Sequence, residues 1–275
     1  MSTSAILQTR VVSTVSDRAC EHDSSRVLSL FSGQSAVCMA VRCATVVWAH
    51  NAGMIWRTLA GYLALLLVLA VCLFVGAGTL EFWQAWLYLL VFGGSSAAIT
   101  LFLWRADPEL LRRRLDAGPV SEPTRTQQII QSVASVAFIA LITVPGLDRR
   151  FGWSRVPVQV TIVAAAVVVV GFYVVFLVFR ANTFTSATVE VVQGQQVVST
   201  GPYAHVRHPM YSGALLILLA TPLALGSWWA LLAWLPMLAA IIWRLEDEER
   251  YLLQKLPGYA EYRAMVRYRL VRGVW

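Results

Sequence analysis

The stretch MYSGALLILLATPLALGSWWALLAWLPMLAAIIW, residues 210–243, contains no charged side chain over 34 residues. As a single α-helix it would be about 51 Å long at about 1.5 Å per residue, whereas the apolar core of a bilayer is about 30 Å thick. Gly226 and Ser227 lie at its middle, with Pro222 and Pro236 on either side, and such residues interrupt helices. We therefore predict two short helices that form a tight hairpin in the membrane.

Four further stretches lack charged side chains and are each long enough to cross a bilayer once. They are residues 58–80, 82–104, 127–147 and 156–179. The chain is 58% hydrophobic and 13% charged, whereas ordinary soluble domains carry about 25% charged residues. This composition therefore fits a soluble domain poorly. We predict an all-α, polytopic transmembrane protein with about six membrane segments, of which the last two form the hairpin.

This pattern divides the chain into three regions. Residues 1–53 are rich in Ser, Thr and Val without a sustained period, and we predict a poorly ordered N-terminal extension. Residues 54–180 hold four transmembrane helices and, at residues 107–119, the basic amphipathic connector DPELLRRRLDAGP, which suits the lipid headgroup surface. Residues 181–275 hold a polar loop, the helical hairpin and a C-terminal helix.

The net charge of +7 comes largely from basic residues beside the spans. One basic group lies between spans two and three and another follows the last span, and the positive-inside rule places both in the cytoplasm. With the compact six-segment plan, this predicts a multi-pass protein of a bacterial inner membrane with a cytoplasmic C-terminus. Membrane lipids, and not nucleic acid, are the expected partners of these basic residues. The four cysteines form no CxxC pair, so we predict no metal site.

Two polar clusters flank the hairpin. GPYAHVRHPMYSG, residues 201–213, precedes it, and RLEDEER, residues 244–250, follows it. Because the two arms of a closed hairpin end on the same side of the membrane, we expect the clusters to meet at one mouth. Pro209 favours an extended backbone at His208 and begins a helix whose free N–H groups suit a carboxylate. Arg244 and Glu248 are four residues apart and therefore share one helical face.

The two clusters and the hairpin resemble the C-terminal signature of the isoprenylcysteine carboxyl methyltransferase and phospholipid methyltransferase superfamily. In that signature a Gly-x-Tyr and Arg-His-Pro-x-Tyr-x-Gly block precedes the hairpin, and an arginine, paired glutamates, Gly-Tyr and a later tyrosine follow it. The resemblance covers about residues 180–270. The matching residues are Gly201, Tyr203, Arg207, His208, Pro209, Tyr211, Gly213, Arg244, Glu248, Glu249, Gly258, Tyr259 and Tyr262.

The resemblance implies an integral membrane methyltransferase that uses S-adenosylmethionine and whose catalytic region is residues 181–275. Its lipophilic or lipidated substrate would enter from the bilayer, and the accepting group would be a carboxylate, as in isoprenylcysteine. The implied cofactor-binding residues are Tyr203, Arg207, His208, Pro209, Tyr211, Gly213 and Glu249. The implied catalytic residues are Glu248, Arg180 and Arg244. Of these, Arg244 would orient the accepting carboxylate, helped by Arg180. Catalysis would rest on in-line positioning and exclusion of water.

Two other functions stay open at this point. An NADPH-dependent membrane reductase of the sterol or steroid type has a distantly similar C-terminal pattern, but the paired glutamates favour the methyltransferase. A non-enzymatic membrane protein such as a transporter is expected to carry charges inside several spans, and these spans are nearly uncharged. Taken singly, Arg207 and Arg244 fit membrane anchoring equally well. Their joint spacing around the hairpin is what favours an enzyme.

Overall fold

A computed structural model describes residues 34–115, 122, 124–185, 189, 191 and 194–275, with the backbone alone for 34–52 and Leu115. This part of the chain contains eight α-helices, one 3₁₀ turn at Gly201–Ala204 and no β-strand. The predicted all-α class is therefore confirmed. In chain order the α-helices are α1 Gln34–Ala77, α2 Trp83–Ala106, α3 Pro108–Leu115, α4 Arg125–Phe151, α5 Val158–Ala181, α6 Pro209–Ala224, α7 Leu231–Lys255 and α8 Tyr259–Met265.

The chain forms two compact units, residues 1–62 and 63–275. In the first unit the described backbone is helical from Gln34 onward. Helix α1 thus begins within residues 1–53, which we predicted to be a poorly ordered extension, while residues 1–33 lie outside the described part of the chain. Near the end of this unit the Thr58 hydroxyl donates a hydrogen bond to the Met54 carbonyl at 2.8 Å.

Within the described part of the chain, four helical segments are long and apolar enough to cross a bilayer, which confirms a polytopic membrane protein. They are Gly53–Ala77, Trp83–Ala106, Arg125–Phe151 and Val158–Ala181. Helix α6 has 16 residues and would extend about 24 Å. In α7 the apolar part ends at Trp243, before the charged cluster that begins at Arg244. Helix α6 and the apolar part of α7 are therefore each shorter than the four spans.

The hairpin is tight at its turn, where Gly226 adopts a left-handed conformation with φ of 75°. Beyond the turn its two arms pack mainly on other helices: α6 lies along α5, and α7 lies along α4. Gly171 and Gly213 permit the first of these contacts, since a Cβ added to Gly171 would lie 2.9 Å from the Gly213 carbonyl oxygen. The cavity described below lies between these two helix pairs.

At the turn of the hairpin the buried carboxylate of Asp148, near the end of α4, accepts hydrogen bonds from three donors. Ser154 donates its backbone N–H at 2.7 Å and its hydroxyl at 2.6 Å. The third donor is the hydroxyl of Ser227, which is itself fully buried in the turn. Asp148 therefore fixes the hairpin turn to α4 and sets where the other end of the hairpin lies.

We expect Asp148→Ala to lower the free energy of unfolding by about 3 kcal/mol, because it removes a charged acceptor and leaves the Ser227 hydroxyl buried without it. Thermal denaturation in detergent measures the change. Glu81→Ala is the matched control, since Glu81 is an exposed carboxylate at the same end of the bundle. Equal melting temperatures for the two variants would show that Asp148 does not anchor the turn.

Candidate active site

A cavity of about 510 Å³ lies at the end of the bundle opposite the hairpin turn. Its inner part is apolar, and its mouth carries the side chains of the two polar clusters. This combination of an apolar wall and a few convergent polar groups is typical of ligand sites. The apolar lining includes Ile130, Ala134, Val175, Ile217, Ala240 and Ile241.

Arg207 donates four hydrogen bonds to other parts of the protein. Its Nε donates to Glu249 Oε1 at 2.6 Å, and one terminal nitrogen donates to the carbonyls of Val266 and Arg267 at 2.9 and 2.7 Å. The backbone N–H of Arg207 donates to the Tyr268 carbonyl at 2.9 Å. The segment after α8 therefore holds Arg207 by both its backbone and its side chain.

Glu249 is the common partner of three basic side chains. Its side chain is almost fully buried, and it accepts from Arg207, from His208 at 3.2 Å and from Arg269 at 3.1 Å. Burial alone would raise the pKa of this carboxyl, but the hydrogen bonds from His208 and Arg207 outweigh burial and lower the pKa to about 2. Glu249 is thus an anion that fixes the surrounding cations in place.

This lowered pKa gives a pH dependence of stability. Because the pKa falls from its ordinary 4.5 to about 2, Glu249 stabilises the folded protein above pH 4.5. That contribution is lost as the pH falls from 4.5 towards 2. We expect the difference in melting temperature between the parent and Glu249→Gln to be constant above pH 5 and to shrink below pH 4.5. A difference that does not change down to pH 3 would contradict this assignment.

His208 lies between Glu248 and Glu249 of α7. Its Nε2 is 3.2 Å from Glu249 Oε1, and its Nδ1 is 4.0 Å from Glu248 Oε1. Since an ionised carboxylate only accepts hydrogen bonds, Nε2 carries a proton. If Nδ1 carries no hydrogen, His208 presents an acceptor towards Glu248 and the cavity; if it carries one, His208 presents a donor.

A second network joins α6, α7 and the segment before α4. The Tyr211 hydroxyl donates to Glu248 Oε2 at 2.6 Å and accepts from Arg244 Nε at 3.1 Å. Arg244 also pairs with Glu122, at 2.7 Å, and donates to the side-chain oxygen of Gln127 at 3.0 Å. Glu122 is 4% exposed, so this is a buried ion pair within the protein.

The structure brings most of the predicted site residues together at the cavity. The residues that line it are Tyr203, Arg207, His208, Pro209, Tyr211, Arg244 and Glu248. Glu249 lies directly behind Arg207 and His208 and orients them. Gly213 and Arg180 do not line the cavity: Gly213 packs against Gly171, and Arg180 is exposed with its guanidinium 5.8 Å from the Phe176 ring centre.

Several residues at the site were not predicted from the sequence. Glu122 lies in a connecting segment far from the signature. Its negative charge was the one feature of the sequence that was compatible with pairing to Arg244. Arg114, on the predicted amphipathic connector, lines the cavity, and burial lowers the pKa of its guanidinium. Tyr259 belongs to the signature but was given no role; it lines the cavity, and its hydroxyl is buried with no hydrogen-bond partner among the described residues.

Comparison with known proteins bears on the same part of the chain. Residues 160–259 match the sequence model of the phospholipid methyltransferase family. A comparison with curated proteins gives no match. The matched residues contain most of α5, the polar loop, the hairpin and both polar clusters. The resemblance predicted from the signature is therefore confirmed.

Proposed function

We propose that this membrane protein is a methyltransferase that takes its methyl group from S-adenosylmethionine. The match of residues 160–259 to the phospholipid methyltransferase family supports this. The observation that carries the proposal is the joining of the two signature clusters across His208, Tyr211, Glu248 and Glu249 at one cavity mouth. We further propose that the methyl acceptor is a lipophilic carboxylate that enters from the bilayer.

The donor set of the cavity fits this cofactor. The volume of about 510 Å³ lies within the range of about 300–1,000 Å³ that is usual for ligand pockets. Glu248 offers a partly exposed carboxylate for a cationic group. The hydroxyl of Tyr259, which has no hydrogen-bond partner among the described residues, supplies a donor. Burial raises the pKa of Tyr203 to about 12, so its hydroxyl stays neutral at physiological pH.

When bound, S-adenosylmethionine supplies a methyl group activated by its positively charged sulfonium. The protein's part is to bind, orient and exclude water. Glu249 fixes Arg207 and His208, while Tyr211 holds the carboxylate of Glu248 in one direction. No side chain has to remove a proton if the acceptor is already a carboxylate.

The apolar wall supports a lipophilic acceptor, and the guanidinium groups support an anionic one. Arg114 and Arg244 both line the cavity, and the pair of Arg244 with Glu122 holds its guanidinium in a fixed direction. A carboxylate at the end of an apolar chain can place its chain along the inner wall and its charge near these groups. We assign Arg244 to orienting the acceptor.

Cofactor binding is tested by calorimetry in detergent with S-adenosylmethionine and S-adenosylhomocysteine. We expect micromolar binding by the parent and binding weaker by at least about tenfold, about 1.4 kcal/mol, for His208→Ala and Glu248→Gln. Glu246→Gln is the control, because Glu246 is an exposed carboxylate on the same helix. A folded, monodisperse parent that binds NADPH and neither adenosyl compound would overturn the proposal.

The acceptor is tested by transfer of a labelled methyl group to two probes, an S-farnesylcysteine derivative and vesicles of phosphatidylethanolamine. A methyl ester is released by base as methanol, whereas an N-methyl group is not. We expect base-labile label on the farnesylcysteine probe and its loss in Arg244→Ala. Base-stable label on phosphatidylethanolamine would assign an amine acceptor and contradict the carboxylate.

We also propose that the cavity mouth faces the cytoplasm of a bacterial cell, on the side of the basic residues. Arg112 and Arg250 lie exposed at this end of the bundle, as the positive-inside rule requires. We expect a reporter that is active only in the cytoplasm to be active when it is fused after Trp275, and a reporter that is active only in the periplasm to be inactive there. Activity of a periplasmic reporter there would reverse the orientation.

A further inference from the structure

A second recess, of about 270 Å³, lies at the end of the bundle near the hairpin turn. Ile130 lines the large cavity and Asp148 lines this recess, so the two sites are about 27 Å apart along α4 at about 1.5 Å per residue. That separation is close to the thickness of a bilayer core. The recess is therefore distinct from the candidate active site.

Exposed tryptophans place the recess at the depth of the lipid headgroups. They belong to three separate segments at this end: the start of α2, the segment after α4 and the hairpin turn. Tryptophan prefers the interface between the bilayer and water. The residues are Trp83, Trp153, Trp228 and Trp229, each between 45% and 54% exposed.

The recess presents both cationic donors and acceptors. Arg149 and Arg155 line it, and one terminal nitrogen of Arg149 is held by the Glu81 carbonyl at 3.2 Å. Gln84 also lines it, and its side-chain oxygen is buried with no hydrogen-bond partner among the described residues. A buried acceptor without a donor is costly unless a ligand or water supplies one. The carboxylate of Asp148, which accepts hydrogen bonds from Ser154 and Ser227, also lines the recess and adds a negative charge to it.

We propose that this recess binds a phospholipid whose phosphate lies against Arg149 and Arg155 and whose headgroup donates a hydrogen bond to Gln84. Guanidinium groups bind phosphate oxygens strongly. The acceptor at Gln84 and the charge of Asp148 favour a headgroup with N–H or O–H donors next to the phosphate, as in ethanolamine or glycerol headgroups. A choline headgroup has no such donor and is bound less well.

Neither the two arginines nor the acceptors at Gln84 and Asp148 would select this ligand alone. Two arginines without an acceptor fit any anion, and the carboxylate of Asp148 disfavours a simple anion in the same recess. A phosphodiester with an adjacent donor satisfies both sets at once. Its acyl chains extend along the exposed apolar surface of the neighbouring spans, where the adjacent Val158 is 53% exposed.

The proposal is tested by native mass spectrometry and thermal shift on delipidated, full-length protein titrated with phosphatidylethanolamine, phosphatidylglycerol and phosphatidylcholine. We expect the first two to bind at least about fivefold more tightly than phosphatidylcholine. The double variant Arg149→Gln/Arg155→Gln should lose that tight binding, and Gln84→Leu should lose the preference over phosphatidylcholine. Arg150→Gln is the matched control, because Arg150 lies against the Phe151 ring and outside the recess.

Each result bears on the proposal by itself. Equal binding of all three lipids, or tight binding that survives the double variant, overturns it. Stabilisation by inorganic phosphate equal to that by the lipids would assign the recess to a soluble anion and also overturn it. None of these measurements uses methyl transfer, so the outcome is independent of the proposed enzymatic function.

Discussion

Glu249→Ala is expected to abolish measurable S-adenosylmethionine binding and to lower the free energy of unfolding by about 3–5 kcal/mol. The carboxylate is the shared partner of Arg207, His208 and Arg269, and it is only 3% exposed. Its removal leaves the Arg207 guanidinium, which is 7% exposed, without a counter-charge. Calorimetry and thermal denaturation measure the two effects.

Two further variants separate binding from folding in this experiment. Glu249→Gln keeps the shape of the side chain and is expected to retain the fold at neutral pH while binding the cofactor at least about tenfold more weakly, because a neutral amide holds the cations less strongly. Glu246→Ala removes a carboxylate from the exposed side of the same helix and should change neither property. Parent-like binding by Glu249→Gln would show that the charge of Glu249 is not needed at the site.

Gly213→Val should lower the melting temperature strongly and reduce methyl transfer to a small fraction of the parent's. A Cβ at Gly213 would lie 2.9 Å from the Val175 side chain and 3.0 Å from the Gly171 carbonyl oxygen. Overpacking of this kind costs about 1–3 kcal/mol or more, since the backbone of α5 has to move. The displacement of α6 would carry Tyr211 away from Glu248.

Ala214→Val is the matched control, since this neighbouring residue lines the cavity. It should narrow the cavity and raise the KM for the acceptor, with little change in melting temperature. Together the two variants also test the cofactor-binding role of Gly213 that the resemblance implied. If Gly213→Val folds as stably as the parent and fails only in cofactor binding, Gly213 contacts the cofactor and not α5.

The meeting of the two clusters was predictable because it follows from local rules. An uncharged stretch too long for one helix has to turn, and a turn returns the chain to the side it left. Residues at the two ends, such as His208 and Glu249, are therefore neighbours whatever the packing of the rest. The family signature added the identity of the chemistry to this geometry.

The partners of these residues were not predictable in the same way. Glu122 and Arg244 are separated by 122 positions, and nothing in the local sequence of either specifies the other. The preference of α6 for α5 depends on Gly171 meeting Gly213, which is a property of two helices and not of one. The face of a helix that a residue occupies is likewise set by tertiary packing, which is why Arg180 points outward and away from the cavity.

The segment that follows α8 binds Arg207, so this part of the site forms late in biosynthesis. The carbonyls of Val266 and Arg267 that bind this guanidinium lie 59 and 60 positions later in the chain. Chains leave the ribosome from the N-terminus, so the spans are available for insertion before these carbonyls exist. A nascent chain that has inserted its helices therefore still lacks the two carbonyls that hold Arg207, and this part of the site is complete only after residues 266–267 have left the ribosome.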